Sequence, residues 1–346
     1  MFFSNEIVFR SHPDKVADQI SDALLDAYLS QDSDSRCGIE VVGGKGKIFV
    51  TGEVTSKGDV DVENVVKSVL DDVGYSKDCE IINNLGQQSP DIAQGVDTGG
   101  AGDQGMMFGY ACRDTTSHVP LAMHILQCLS MYYDWLRSQD PRFLPDGKAQ
   151  ITGCYDESGK LRYIKDFVIS YQNTEVDREE TDRILIDYCR NLCHQYYISI
   201  ENFHINPTGK FLIGGFEGDA GLTGRKVVID NYQGFAPVGG GCFSGKCFTK
   251  VDRSAAYKAR QLAIRFLKSN SEFDWVQVQL SYAIGIAEPM AIYIKTNKGD
   301  YQENIDKLYR ECTPARIIND LKLKSVKYYE TAKFGHFGLP GFPWEK

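Results

Sequence analysis

Residues 11–29 read SHPDKVADQISDALLDAYL. Val16, Ile20, Leu24, Ala27 and Tyr28 fall at the period of a helix, and Pro13 suits its first turn, so a helix is expected to start at the His-Pro-Asp triplet. Two strand-like runs follow, CGIEVV (37–42) and KIFVTGEV (47–54), joined by GGKG (43–46) as a hairpin. Val62, Val65, Val66, Val69, Leu70 and Val73 restore the helical period, and CEIINNL (79–85) is another short strand. This order decides the fold because it recurs. VPLAMHILQCLSMYYDWL (119–136) leads into AQITGCY (149–155), YIKDFVISYQ (163–172) and the helical DREETDRILIDYCRNLC (177–193). SAAYKARQLAIRFLKS (254–269) leads into VQVQLSYAIG (276–285), AIYIK (291–295) and a helix near Gln302 to Arg310. Three helix, strand, strand, helix units predict an α/β protein of the α+β type, with three pseudo-repeated domains of mixed sheet and helices packed on one face.

The totals agree with a large globular protein. A chain of 346 residues, 42% hydrophobic, buries a sizeable core, and its net charge of -9 argues against broad nucleic-acid binding. No apolar run is long enough to span a membrane, and MFFSNEIVFR has neither the basic start nor the apolar length of a signal peptide, so a cytoplasmic location is expected. The ten cysteines form no CxxC pair and no zinc-ligand spacing, and read as reduced thiols.

Against this acidic background one segment is basic. Asn206 to Arg253 holds eleven of the 33 glycines (209, 214, 215, 218, 221, 224, 234, 239–241 and 245). It also carries Lys210, Arg225, Lys226, Lys246, Lys250 and Arg253 against Glu217, Asp219, Asp230 and Asp252. Glycine lets backbone N–H groups approach an anion, fixed cations neutralise it, and carboxylates can hold magnesium on its oxygens, which is the composition of a polyphosphate site. The plain alternative is a solvated glycine-rich surface. GGCFSGKC (240–247) has Walker A spacing, but Cys247 stands where a hydroxyl should be. GAGDQG (100–105) fits GxGxxG without the strand before it and the helix after it that a Rossmann turn needs. HPDK (12–15) puts an imidazole, a carboxylate and an ammonium at a helix N-terminus, a setting that suits anions and also ordinary capping. His118, His124, His194 and His204 lack partners at ligand spacing and read as structural. Gly86 to Gly105 has no periodic pattern, and a loop of that length is expected to serve as a lid.

HPDK, GAGDQG, INPTGKF (205–211), GDAGLTGRK (218–226) and GGGCFSGK (239–246), taken together, resemble the S-adenosylmethionine synthetase (methionine adenosyltransferase) family. SPDIAQGVD (89–97), KVDRSAAY (250–257), SYAIGIAEP (281–289), YYETAKFGHFG (328–338) and FPWEK (342–346) agree, so the likeness runs from about Asn5 to Lys346. It implies an N-terminal domain over 1–88, a lid over 89–102, a central domain over 103–214 and a C-terminal domain over 215–346. It also implies a homodimer or a dimer of dimers with shared active sites, and a reaction that joins ATP and L-methionine and then hydrolyses the triphosphate to phosphate and pyrophosphate.

Carried over by position, the resemblance places His12 at the leaving-group side of ATP and Lys148, Arg225, Lys226 and Lys246 on the polyphosphate. Asp146 matches a ribose-side carboxylate, Lys210 and Phe211 match the adenine side, and Cys242 matches a small ATP contact. Glu53, Gln88, Asp103, Asp219 and Lys250 match methionine-side positions, with Asp219 also at the ATP. Two magnesium ions are implied, with Asp14 and Asp252 as ligands, and potassium with Glu40. The sequence departs from the family at Arg10 and Ser11, where relatives carry an acid and a glycine, at Leu144, where an arginine is common, at Cys247, where an aspartate is usual, and in a lid shorter between Val96 and Gly99. The rival readings are a weakened or regulatory homologue, suggested by the short lid, and a tripolyphosphatase that does not use methionine. A non-enzymatic binding module is the third.

Overall fold

The computed structural model describes residues 1–87, 99–302 and 305–346. After β1 (Phe2–Val8), the first unit runs α1 (Pro13–Gln31), β2 (Arg36–Gly44), β3 (Lys47–Thr55), α2 (Val62–Val73) and then β4 (Glu80–Gly86). β5 (Gly105–Cys112) precedes the second, α3 (Leu121–Gln139), β6 (Phe143–Tyr155), β7 (Leu161–Asn173), α4 (Arg178–Gln195) and β8 (Ser199–Ile205). Single helical turns at Gly215–Gly218 and Val227–Asp230 flank β9 (Gly221–Leu222). The third unit is α5 (Val251–Ser269), β10 (Trp275–Tyr282), β11 (Ala291–Thr296), β12 (Gly299–Tyr301) and α6 (Asp306–Glu311), followed by α7 (Pro314–Asp320) and α8 (Tyr328–Phe334). The triplicated order expected from periodicity is therefore present, and β1, β4, β5, β8, β9, β12, α7 and α8 are additions to it.

Local chemistry explains the boundaries. α1 starts where His12, in extended backbone, accepts the Asp14 N–H on its Nδ1 at 3.2 Å, with Pro13 as the first helical residue. The β2–β3 hairpin turns on Lys45 and Gly46, both at positive φ, which matches the twist of the strands it joins. α2 is capped by the Asp61 carboxylate on the Asn64 N–H and ends at Gly74 in the left-handed region.

The sheets are not built from one unit each. Their strand orders are β4-β3-β2-β9, β1-β6-β7-β8 and β12-β11-β10-β5. Each hairpin is thus completed by a strand from elsewhere in the chain: β9 pairs with β2, β1 with β6 and β5 with β10, all antiparallel. The exchange is cyclic and ties the three units together. Two apolar cores result. One runs beneath the β2 and β10 sheets with α1, α2 and α5, and the other lies between the β6 sheet and α3 and α4.

The opposite face of the β2 sheet is open. Along β2, Cys37, Ile39 and Val41 are buried while Glu40 and Val42 are exposed. Val42 pairs with Phe49, and Phe49 with Ile82, so these three form one row of exposed apolar side chains across the sheet. The ten cysteines are all free. Among the described residues no helix is long and apolar enough to cross a membrane.

Candidate active site

The start of α1 and the glycine-rich segment meet around one cavity of about 220 Å³, lined by His12, Asp146, Lys148, Phe211 and Asp219 among others. These residues come from β6, α1 and two turns, and strand exchange brings them together: Val8 of β1 pairs with Lys148 of β6, so the chain enters α1 directly over β6. His12 has its Nδ1 occupied by the Asp14 N–H, which leaves Nε2 as the protonated nitrogen of a neutral ring. Burial, reinforced by the Lys226 ammonium, lowers its pKa to about 4, so the ring stays neutral at physiological pH. Asp146 accepts the Gly215 N–H at 2.8 Å. Burial raises its pKa to about 6 despite that bond.

Next to this cavity the acids and cations stand in pairs. Asp14 accepts the Lys226 ammonium at 2.5 Å and lies 3.5 Å from the Arg225 Nε. Asp252, in the first turn of α5, accepts Lys246 at 2.5 Å, and Glu53 of β3 accepts Lys250 at 2.7 Å. The Lys246 pKa is raised, the nearby carboxylates of Asp252 and Asp103 outweighing the opposing effect of burial. The backbone closes the same ground. Gly38 of β2 bridges to Lys246, and a Cβ on Gly241 would fall 2.2 Å from the Asp252 carboxylate. Gly224, at φ 81°, packs against Cys242, where a Cβ would lie 2.5 Å from that side chain. Cys242 feels the charges of Lys246 and Glu40, and burial raises its thiol pKa.

Most of the residues expected from the sequence therefore converge. His12, Asp146, Lys148, Phe211 and Asp219 line the cavity, Asp14 with Arg225 and Lys226 pairs beside it, and Glu53, Asp103, Cys242, Lys246, Lys250 and Asp252 form the adjoining cluster, with Glu40 at its edge. Lys210 is exposed on the turn before Phe211. Gln88 and most of the 89–102 segment, Val96 included, lie outside the described residues. Of the histidines read as structural, His124 Nε2 lies 2.9 Å from the Tyr196 hydroxyl and His204 Nε2 lies 2.9 Å from Asp166, whereas His118 Nδ1 is buried without a hydrogen-bond partner.

Sequence reasoning missed several residues that hold the site. Asp18 and Asp22 on α1 accept backbone N–H groups of the two glycine loops. Their spacing from Asp14, four and eight residues on, was the available signal. Arg10 is 6% exposed and bonds Gln19, Asp72, Asp134 and Tyr329, tying the entry of α1 to α2, α3 and α8. The Ser11 hydroxyl donates to the Val73 carbonyl, and the Tyr75 hydroxyl to the Ser11 carbonyl. Cys247 is fully buried, with its Sγ 3.1 Å from the Thr249 hydroxyl.

Comparison with known proteins bears on the same residues. Family models describe the N-terminal domain of S-adenosylmethionine synthetase over residues 1–90, the central domain over 98–211 and the C-terminal domain over 213–346. A protein of Clostridium tetani named S-adenosylmethionine synthase is 40% identical over 378 residues, covering 99% of this chain and 96% of its own. Proteins with the same name from Prochlorococcus marinus (41% identical; 99% and 96% covered) and Salinibacter ruber (40% identical; 99% and 95%) are similar along the same length.

Proposed function

The chain belongs to the S-adenosylmethionine synthetase family, and from that premise we propose how its own residues divide the reaction. It is a methionine adenosyltransferase that forms S-adenosylmethionine from ATP and methionine. The observation that carries the proposed division is the pairing of each candidate magnesium carboxylate with a lysine, Asp14 with Lys226 and Asp252 with Lys246. A polyphosphate entering between the partners draws each lysine to its oxygens and frees each carboxylate for a cation.

Phe211 stacks on the adenine with Lys210 beside it, and Asp146 accepts the ribose hydroxyls. Lys148, Arg225, Lys226 and Lys246 line the triphosphate, and the neutral His12 donates from Nε2 to the oxygen that leaves C5′. Glu53, Gln88, Asp103, Asp219 and Lys250 hold methionine. The thioether carries no proton, so attack on C5′ needs no general base. The barrier lies in alignment and in the charge that grows on the leaving triphosphate, which fixed cations stabilise. The same groups then serve hydrolysis of the triphosphate to phosphate and pyrophosphate by an in-line water.

Among the described residues no three acidic, histidine or cysteine side chains converge on one point, so Asp14 and Asp252 each offer a single carboxylate. That donor set fits magnesium, which is commonly held by one or two carboxylates together with substrate phosphates and water. Two magnesium ions bound there would supply neutralisation of the polyphosphate, and potassium would rest on Glu40. The expected assembly is a homodimer or dimer of dimers with shared active sites, and the row Val42, Phe49 and Ile82 supports a subunit contact, because exposed apolar faces mark interaction surfaces. The expected setting is the cytoplasm.

Incubation of the purified chain with ATP, methionine, magnesium and potassium, followed by chromatography, is expected to yield S-adenosylmethionine with phosphate and pyrophosphate. Phosphate release from added triphosphate with no S-adenosylmethionine would overturn the reading in favour of a tripolyphosphatase.

A further inference from the structure

One face of α1 carries Asp14, Asp18 and Asp22, four residues apart and at most 1% exposed. Each aims a carboxylate oxygen at a backbone N–H of the glycine-rich segment. Asp14 takes Leu222 at 3.0 Å, Asp18 takes Gly224 at 2.8 Å and Asp22 takes Gly245 at 2.9 Å. The residues that follow these glycines are the cations of the site, Arg225 and Lys226 after Gly224 and Lys246 after Gly245. Both glycines sit at positive φ, and a Cβ on Gly245 would fall 1.9 Å from the Ile39 carbonyl oxygen, so the loops have one way to turn.

Each lower aspartate also holds a buried cation. Asp18 accepts the Lys15 ammonium at 3.1 Å, and Lys15 also reaches Asp230 at 2.7 Å. Asp22 takes the Arg253 guanidinium on both oxygens at 2.6 and 2.8 Å, and Arg253 reaches on to the Lys246 carbonyl at 3.1 Å. Between the two levels the Ser21 hydroxyl meets that of Thr223 at 2.6 Å. A buried carboxylate accepting an N–H and a cation at once has no freedom to turn, and the loop N–H inherits that rigidity.

We propose that Asp18 and Asp22 are positioning residues for adenosyl transfer, each holding by a carboxylate oxygen the loop that aims the following cation at the polyphosphate. The inference rests on the reading of Arg225, Lys226 and Lys246 as polyphosphate contacts. It separates two jobs within one side chain. The charge pairs with Lys15 or Arg253 and serves the fold, whereas acceptance of the glycine N–H, by an oxygen that in Asp22 also takes an Arg253 N–H, serves catalysis.

The test compares Asp18→Ala with Asp18→Asn, and Asp22→Ala with Asp22→Asn, by steady-state kinetics and thermal melting. An amide keeps an acceptor oxygen and loses the charge. Both substitutions are therefore expected to lower the melting temperature. In the alanine variants kcat is expected to fall about 10- to 100-fold, the scale of a small misplacement of charged groups, with KM for methionine within about twofold. The asparagine variants are expected to stay within about threefold of wild-type kcat, because the glycine N–H keeps its partner. The proposal is overturned if an alanine variant keeps wild-type kcat, or if folded asparagine variants lose as much as alanine. Should alanine prevent folding, an inactive but folded asparagine variant overturns it equally. If the unaltered protein makes no S-adenosylmethionine, the underlying functional reading fails instead.

Discussion

Two buried titratable groups on the cavity proposed for ATP are tuned in opposite senses by the same low polarity. Burial keeps His12 neutral down to about pH 4 and keeps a proton on Asp146 up to about pH 6. The pH dependence should therefore follow Asp146. In the proposed division its carboxylate takes the ribose hydroxyls above pH 6, and as protonation removes that acceptor, KM for ATP should climb about tenfold by pH 5. The climb should be absent in Asp146→Asn and retained in His12→Asn, measured from rates at saturating methionine. Lys246→Ala and Asp252→Ala break the same pair from either side. Each should lower kcat about 100- to 1000-fold, the scale of losing one fixed stabiliser of transition-state charge, with unchanged circular dichroism. Near-wild-type turnover in either variant would remove that residue from its role.

At the scale of elements, the site depends on close packing of backbone on backbone. Gly109 of β5 lies against α5, and a Cβ there would come within 2.0 Å of the Ala259 carbonyl carbon. Gly109→Ala should push β5 off α5 and destabilise the protein by about 1–3 kcal/mol or more, seen as a lower denaturation midpoint in urea. A midpoint equal to wild type would show that the two elements can part without cost. Arg10 and Ser11 read in the sequence only as departures from a family pattern. In the fold they anchor the entry of α1, because Arg10 joins Asp72 and Asp134 from two other helices and Ser11 is bonded at both hydroxyl and carbonyl. Little in their local sequence reveals this, since apart from Gln19 the partners of Arg10 and Ser11 lie 62 or more residues away.

For the molecule as a whole, the exposed apolar row of the β2 sheet makes assembly testable. Phe49 is central to that row and 37% exposed. Phe49→Asp places a charge where a partner's apolar face is expected, and should shift the protein to monomers in light scattering while its dichroism spectrum persists. With shared active sites turnover should fall with it. An unaltered oligomer would place the subunit contact on another surface.

Residue periodicity was enough to read the three helix, strand, strand, helix units, and composition pointed to an anion site at the glycine loops, because helix period, turn composition and charge are local properties of neighbouring residues, while the individual residue roles came only from the family resemblance. It was silent on how the units combine. β9, a strand of two residues, carries no periodic signal, and a strand's partner depends on edges made far away in the chain. The cyclic exchange of β1, β5 and β9 was decided only in the tertiary structure. So was the polar face of α1, whose aspartates look like solvated charge in the sequence and are buried because glycine loops bring N–H groups to meet them.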